Sequence, residues 1–368
     1  MPKNPEANHG KQPNQKLKPY LVLQYLLKYS DENHTVSAPE IVAFLQEECG
    51  IYAERRSIYR DIEEINKAML IVEDKITAED AERMLAEEDA DRYVVYDKSK
   101  KGFYVQRRFY EYDDIRLLAE AIYSAKFLTE NQSKTLVDVV CGFVSEYQAE
   151  TIRHDAFLTD RVRTINKSVI HSLATINAAM SKEQEGQKHI PEKISFKYLK
   201  YSISDMTKQA ERRGGAKYTV SPYALLINDG NYYLLAYADY AQDLRTFRVD
   251  RMKDVHPTGE ERTGAKAFAA IDLKTYTQRV FGMFGGDQQR VQMRFINPLL
   301  DAVVDRFGTK GILYSKVDET HFRVSAPVEV SDQFFSWICQ FGKKAKIIAP
   351  DKVVTQFTEY LDRIRSLY

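Results

Sequence analysis

Apolar residues recur with a helical period in the first third of the chain. Leu17, Tyr20, Leu21, Leu23 and Leu27 form a stripe that ends near Tyr29. Ser37-Ala38-Pro39-Glu40 is a capping box with proline in the first turn. Ile41, Phe44 and Leu45 continue that helix until Cys49-Gly50 stops it. Ile58, Ile62 and Ile65, at spacings of four and three, predict a third helix over 53–69. An acidic stretch, 73–91, predicts a solvated helix. Helical stripes return with Ile115, Leu118 and Ile122, then Leu136, Val139, Val140 and Phe143, then Val162, Ile165, Val169, Leu173 and Ile176. A polar run, Ser181 to Gln187, ends this region.

From Tyr218 to Arg251 the pattern is that of strands. Val220 to Ile227 is β-prone, Asn228-Asp229-Gly230 is a tight-turn signal, Tyr232 to Tyr237 is continuously apolar, and Leu244 to Val249 follows a polar break. Strands this short belong to a small barrel or sandwich. Lys208 to Lys217, with Arg212-Arg213-Gly214-Gly215, is expected to be a mobile basic hairpin loop. The segment 259–288 reads as a connector, and its Gly-rich FGMFGGD lacks the lysine and spacing of a phosphate-binding loop. The remainder alternates strand and helix: VQMRF, a helix from Pro298 to Phe307, HFRVSAPV, a helix around Phe334 to Ile338, AKIIAP, and a terminal helix with Val354, Phe357, Leu361 and Ile364. That order suits a small α+β sandwich.

Two places carry candidate chemistry. Arg245, Arg248 and Arg251 are seeded among Phe247 and Val249, with Tyr223, Tyr232 and Tyr233 nearby. Guanidinium groups donate in pairs to phosphate oxygens, and aromatic faces offer platforms to nucleobases. The alternative is ordinary strand tyrosines and solvated arginines. An unbroken strand would put Arg245 and Arg251 on one face and Arg248 on the other, so a common pocket requires a break near Asp250.

The second place is the start of the third helix, where Arg55, Arg56, Ser57, Tyr59 and Arg60 lie off the Ile58–Ile62–Ile65 face. A recognition helix presents its N-terminal residues to bases and phosphates in this way. The competing reading is a solvated face whose arginines are neutralised by Glu54, Asp61, Glu63 and Glu64.

Composition changes this picture little. The 368 residues, 44% hydrophobic and 12% aromatic, suffice for several globular domains. Lys+Arg and Asp+Glu are 53 each, so any basic surface is local, and 193–253 holds 11 Lys/Arg against 6 Asp/Glu. Cys49, Cys141 and Cys339 are far apart, which disfavours disulfides and zinc, and neither a metal nor a cofactor is expected. There is no apolar signal core and no run of about 18 apolar residues, so a cytoplasmic, non-membrane protein is expected. No His-Glu-x-x-His, Gly-x-Ser-x-Gly, Walker or dinucleotide motif occurs, and no enzyme is expected.

The strand-rich stretch resembles the WYL domain, an SH3-like or Sm-like barrel named for a Trp-Tyr-Leu triplet. Tyr232-Tyr233-Leu234 stands at the triplet, Ser221-Pro222-Tyr223 precedes it, and Arg245-Thr246-Phe247-Arg248-Val249-Asp250-Arg251 follows. Arg56-Ser57-Ile58-Tyr59-Arg60-Asp61-Ile62 is similar to the R-T-x-Y-R-D-I signature of DeoR-type winged helices; the resemblance implies a two-stranded wing over Arg92 to Val105 with a Lys-rich tip, and Gly102-Phe103-Tyr104-Val105 resembles the end of that wing. Ser331 to Gly342 and AKIIAP resemble the C-terminal extension of WYL regulators, the WCX domain.

These resemblances imply a multidomain α+β chain: a disordered tail (1–14), a winged helix-turn-helix (15–108) with the acidic insertion 73–91, a helical linker for dimerisation (109–188), a WYL barrel (189–258), a connector (259–288) and a WCX-like α+β domain (289–368). The implied function is a homodimeric transcriptional regulator on an inverted-repeat duplex. It would grip DNA through Arg55, Arg56, Ser57, Tyr59 and Arg60, with Lys98, Lys100 and Lys101 of the wing on phosphates. It would sense an oligonucleotide or nucleotide through Tyr223, Tyr233, Arg245, Arg248 and Arg251. The alternative function is an accessory effector that acts on other proteins at single-stranded nucleic acid.

Overall fold

The computed structural model describes residues 14–87, 90–155, 163–184, 186–205, 208–273, 276, 280 and 285–368. The chain is α+β, helical in its N-terminal part and sheet-rich in its C-terminal part. It divides into two compact units, Met1–Ala125 with Glu130–Val162, and Lys126–Thr129 with Arg163–Tyr368. Residues 1–13, Val162 and 281–284 of the Gly-rich connector, for which expectations were stated, lie outside the described residues.

The first unit opens with α1 (Lys18–Tyr29), α2 (Ala38–Glu47), α3 (Arg55–Glu73) and α4 (Ala78–Leu85), followed by the antiparallel pair β1 (Val94–Asp97) and β2 (Gly102–Val105). Both halves of the capping box form: the Ser37 hydroxyl accepts from the Glu40 N–H, and the Glu40 carboxylate accepts from the Ser37 N–H. Such a cap stabilises a helix by about 1 kcal/mol. Val22, Leu26, Ile41, Leu45, Ile58, Ile62 and Phe103 fill the core. Leu17 and Tyr20, expected in the first apolar face, are instead exposed, because Val22 and Leu26 form the row that meets α2 and α3. Lys18 ties α1 to α3 by donating to the Ser57 hydroxyl at 3.0 Å and pairing with Asp61 at 3.1 Å.

The acidic insertion is not a free solvated helix. Ala81 of α4 is fully buried, Glu82 pairs with Lys67 at 2.9 Å, and Arg92 donates to both the Leu85 carbonyl and Glu63. Arg107 gathers Glu73, Asp74 and Asp91. Glu73, the last residue of α3, thus lies about 27 Å along the axis from Arg55 at roughly 1.5 Å per residue.

A second core in this unit joins α5 (Tyr112–Ser124), α6 (Glu130–Cys141) and α7 (Glu146–Asp155) through Ile115, Ala119, Tyr123, Val137, Cys141 and Ile152. Leu118, Val139 and Phe143, read from the sequence as parts of helical stripes, are exposed together with Leu117. Asp31, buried just after α1, accepts the Ser145 hydroxyl at the start of α7, and His34 stacks on Tyr147 at 3.8 Å.

In the second unit, α8 (Val169–Met180) packs on a sheet, so the expected linker 109–188 is shared between the units. A two-residue ladder, β3 (Glu183–Gln184) with β4 (Gln187–Lys188), precedes β5 (Glu192–Tyr201), β6 (Gln209–Glu211), β7 (Lys217–Asn228), β8 (Asn231–Ala238), β9 (Asp243–Arg248) and β10 (Met252–Glu261). The sheet runs β10-β5-β7-β8-β9 with β6 on β5, an open path that no pairing among the described residues closes into a barrel. Asp229 and Gly230 take φ of 47° and 71°, the left-handed pair of a primed two-residue hairpin.

The triplet follows strand alternation. Tyr232 and Leu234 join the core under α8, and Tyr233 faces the other side with Leu235. Tyr232 meets the edge of Phe127 at 4.6 Å. The connector helix α9 (Ala265–Ala269) and Tyr276 cover the Leu235 side, which gives that segment a packing role that composition did not suggest.

The chain ends in a four-stranded sheet, β12-β13-β11-β14, from β11 (Asp287–Ile296), β12 (Leu313–Lys316), β13 (His321–Val330) and β14 (Ala345–Ala349). It packs against α10 (Leu300–Phe307), α11 (Asp332–Cys339) and α12 (Asp351–Arg365) through Met293, Phe295, Phe307, Phe334 and Val353. No helix among the described residues is long and apolar enough to cross a membrane.

Candidate functional site

In the first unit, Arg55, Arg56, Tyr59 and Arg60 are exposed at the start of α3. Two of the four acids that could have neutralised them are engaged elsewhere, Asp61 with Lys18 and Glu63 with Arg92. Among the described residues none of the three arginines forms an ion pair or a side-chain hydrogen bond. Tyr59 leans its ring on Phe103 at 5.1 Å and Tyr96 at 6.1 Å, so the hairpin braces the first turns of the helix.

Ser57 does not join this surface, since its hydroxyl donates to the Glu54 carbonyl and accepts from Lys18. At the hairpin tip, Asp97 accepts from the Ser99 hydroxyl and the Ser99 and Lys100 N–H groups, which holds its carboxyl below the usual range. Lys98 and Lys101 point to solvent, whereas Lys100 donates to the carbonyls of Glu32 and Asn33 at 2.8 and 3.2 Å.

The second unit contains an open cleft of about 1170 Å³. Tyr233, Arg245, Arg248 and Arg251 all line it. They converge because β9 ends at Arg248 and a 3-10 turn over Val249–Arg251 re-aims the backbone, the break that strand alternation required. Arg251 forms no ion pair or hydrogen bond among the described residues, and Arg245 has only Asp243 at 3.6 Å.

Arg248 is different. It donates from Nε and Nη2 to both oxygens of buried Asp250 at 3.0 and 2.8 Å, and from Nη2 to the Asn231 side-chain oxygen at 2.7 Å. Burial opposes its charge but is outweighed by Asp250, so the guanidinium is held above its ordinary pKa. Its own N–H donates to the Tyr198 hydroxyl, which burial pushes above the usual phenol range.

Tyr223 is not brought to the cleft. Its hydroxyl donates to the Thr263 carbonyl at 2.7 Å, its ring stacks on Phe268 at 4.6 Å, and Arg262 covers the ring at 4.5 Å. Sequence reasoning also missed lining residues. Tyr198, Tyr218, Tyr240 and Arg212 belong to the cleft, with Arg212 over the Tyr198 ring at 5.4 Å. The basic 212–215 segment is not a free loop but a 3-10 turn whose Arg213, at φ 51°, lies over Tyr218 and Tyr240 at 4.9 and 5.7 Å. The usable signal was the alternation Ile194, Phe196, Tyr198, which puts Tyr198 on the same strand face as core residues, at its polar end.

Residues 192–257 match the family model of the WYL domain, and residues 287–365 match that of the WCX domain. The chain carries a WYL domain followed by a WCX domain. Strands β5 to β9, the triplet and the arginine-bearing turn all fall within the WYL match. Among solved structures, the chain is similar over its whole length to the proteasome accessory factor B/C (PafBC) of Arthrobacter aurescens, with 14% identity and a TM-score of 0.26. It spans about half of that protein, 51% of its length. A CRISPR Cas-related protein matches with 12% identity and a TM-score of 0.33, covering all of this chain and 96% of that one.

Proposed function

We propose that the protein is a ligand-responsive, DNA-binding transcriptional regulator, homodimeric and cytoplasmic. Its WYL domain would sense an oligonucleotide or nucleotide and so change the grip of the N-terminal heads on an inverted-repeat operator. The observation that carries this reading is the convergence of Arg245, Arg248 and Arg251 with Tyr233 on one cleft, Arg251 without a close partner among the described residues and Arg245 held only by exposed Asp243 at 3.6 Å. Accessible guanidinium groups beside aromatic rings favour a ligand with phosphates and bases.

For the head (15–108), α2, the turn after it, α3 and the β1–β2 hairpin have the order of a winged helix-turn-helix. The open run of Arg55, Arg56 and Arg60 at the start of α3 supports duplex contact there, with Tyr59, Lys98 and Lys101 beside it. Ser57 and Lys100 would act by holding the helix and hairpin. For the sensor (189–258), the order 5-1-2-3-4, with a 3-10 turn before the last strand, supports an SH3-like or Sm-like fold. Exposed Leu117, Leu118, Val139 and Phe143 in the helical region offer the apolar surface a second copy would cover.

The test is thermal melting of the whole protein with short single-stranded DNA, RNA and cyclic nucleotides. A ligand at a hundred times its Kd stabilises the native state by about 2.7 kcal/mol and raises Tm accordingly. Arg251→Ala and Arg245→Ala are expected to abolish that rise. If no such ligand shifts Tm at low salt, the sensing role fails.

A further inference from the structure

The cleft has a second wall, one the arginines do not explain. Gly285 and Gly286, leading into β11, line it with Asp287 at the start of that strand and Glu329 near the end of β13, two acids opposite in charge to Arg212, Arg245 and Arg251. A side chain at Gly286 would put its Cβ 2.0 Å from the Val330 carbonyl oxygen, so only glycine allows the backbone to lie this close to β13. That approach brings the Gly286 N–H to Oε2 of Glu329 at 3.2 Å and fixes the carboxylate. Oε1 of Glu329 accepts no hydrogen bond among the described residues. Asp287 is taken by Lys352 at 3.1 Å.

Resting on the nucleic-acid reading above, we propose that Glu329 makes the sensor selective for bases that carry an amino group. A carboxylate accepts hydrogen bonds and repels phosphate, so a ligand filling this cleft sets its phosphates toward the arginines and its donors toward Glu329. Cytosine N4, adenine N6 and guanine N2 are such donors, and carboxylates accept from cytosine N4 in known base recognition. Thymine and uracil place a carbonyl where cytosine has its amine. At about 1170 Å³ the cleft exceeds the roughly 300–1000 Å³ of a drug-sized pocket, which leaves room for more than one nucleotide.

The experiment compares short oligodeoxycytidine with oligothymidine of equal length by fluorescence anisotropy, using the full chain at one stated salt concentration. Oligodeoxycytidine is expected to bind about tenfold more tightly, the discrimination of one well-placed base contact. Glu329→Gln keeps an oxygen for the Gly286 N–H but adds an amide donor that suits thymine O4. It is expected to abolish or reverse the preference with Tm unchanged. Equal affinity for both oligomers, with no effect of Glu329→Gln, would overturn the selectivity while leaving the sensor reading standing. Binding of neither oligomer would overturn the selectivity too, and would take the sensor reading with it if RNA and cyclic nucleotides also leave Tm unchanged.

Discussion

The three arginines of the WYL motif divide by what already occupies each side chain. Arg248 neutralises buried Asp250 and holds Asn231, whereas Arg251 and Arg245 are available. Removing one partner of a mostly buried pair leaves the other charge stranded. Arg248→Ala is therefore expected to lower unfolding free energy by about 1.5–3 kcal/mol, the range for hydrogen bonds to charged groups, while Arg251→Ala and Arg245→Ala stay within about 0.5 kcal/mol. Denaturant titration separates the two groups. Loss of ligand binding is thus clean evidence about the site only for Arg245 and Arg251. The sequence placed all three in one candidate site but could not reveal this division, because Asn231 lies across a hairpin and the pairing depends on the turn after Arg248. That Tyr223 lies apart from the arginine cleft was hidden for the same reason: its partners Thr263 and Phe268 come from a segment with no recognisable pattern.

Elements were more legible. The capping box, the Asn228-Asp229-Gly230 turn, and the order of strands and helices after Arg290 could all be read from spacing and turn chemistry, although β12 was not. What escaped was which face of an amphipathic helix is covered, since Val139 and Leu118 fit a helical stripe as well as Val137 and Ala119 do. For α3, Arg56→Ala and Arg60→Ala are expected to weaken duplex binding and to reduce the slope of log K against log salt by about 0.9 for each phosphate that is no longer neutralised. An unchanged slope in both variants would remove this helix from the interface.

The junction between α1 and α7 carries a pH signature. Burial opposes ionisation of Asp31, but hydrogen bonds from Ser145, His34 and the Asn33 N–H outweigh it and hold the carboxyl below its ordinary pKa. A depressed folded pKa contributes stability above the unfolded value, about 3.9, and that stability is lost as pH falls through the folded value. Asp31→Asn is expected to cost on the order of 2 kcal/mol at neutral pH and to flatten the acid limb of the stability curve below about pH 4. A variant with the wild-type acid limb would show that the junction does not titrate.

Association of two complete chains should depend on the apolar residues that α5 and α6 leave uncovered. Val139→Asp is expected to convert a dimer to a monomer in sedimentation and to weaken operator binding without lowering Tm. An unchanged sedimentation coefficient would locate the interface elsewhere. Reciprocity gives a second check, since a ligand that changes operator affinity by some factor must have its own affinity changed by the same factor when operator is bound.

The chain enters the second unit twice, at Lys126–Thr129 and again at Arg163. The short visit is well anchored: the Lys126 N–H donates to the Gly230 carbonyl at 2.8 Å, its ammonium pairs with Asp229, its carbonyl accepts from Thr164, and Phe127 packs on Tyr232. The second unit is therefore no detachable module. A fragment cut to begin at residue 163 would bare the ring that stands first in the family's signature triplet and strip its neighbouring hairpin of its clasp.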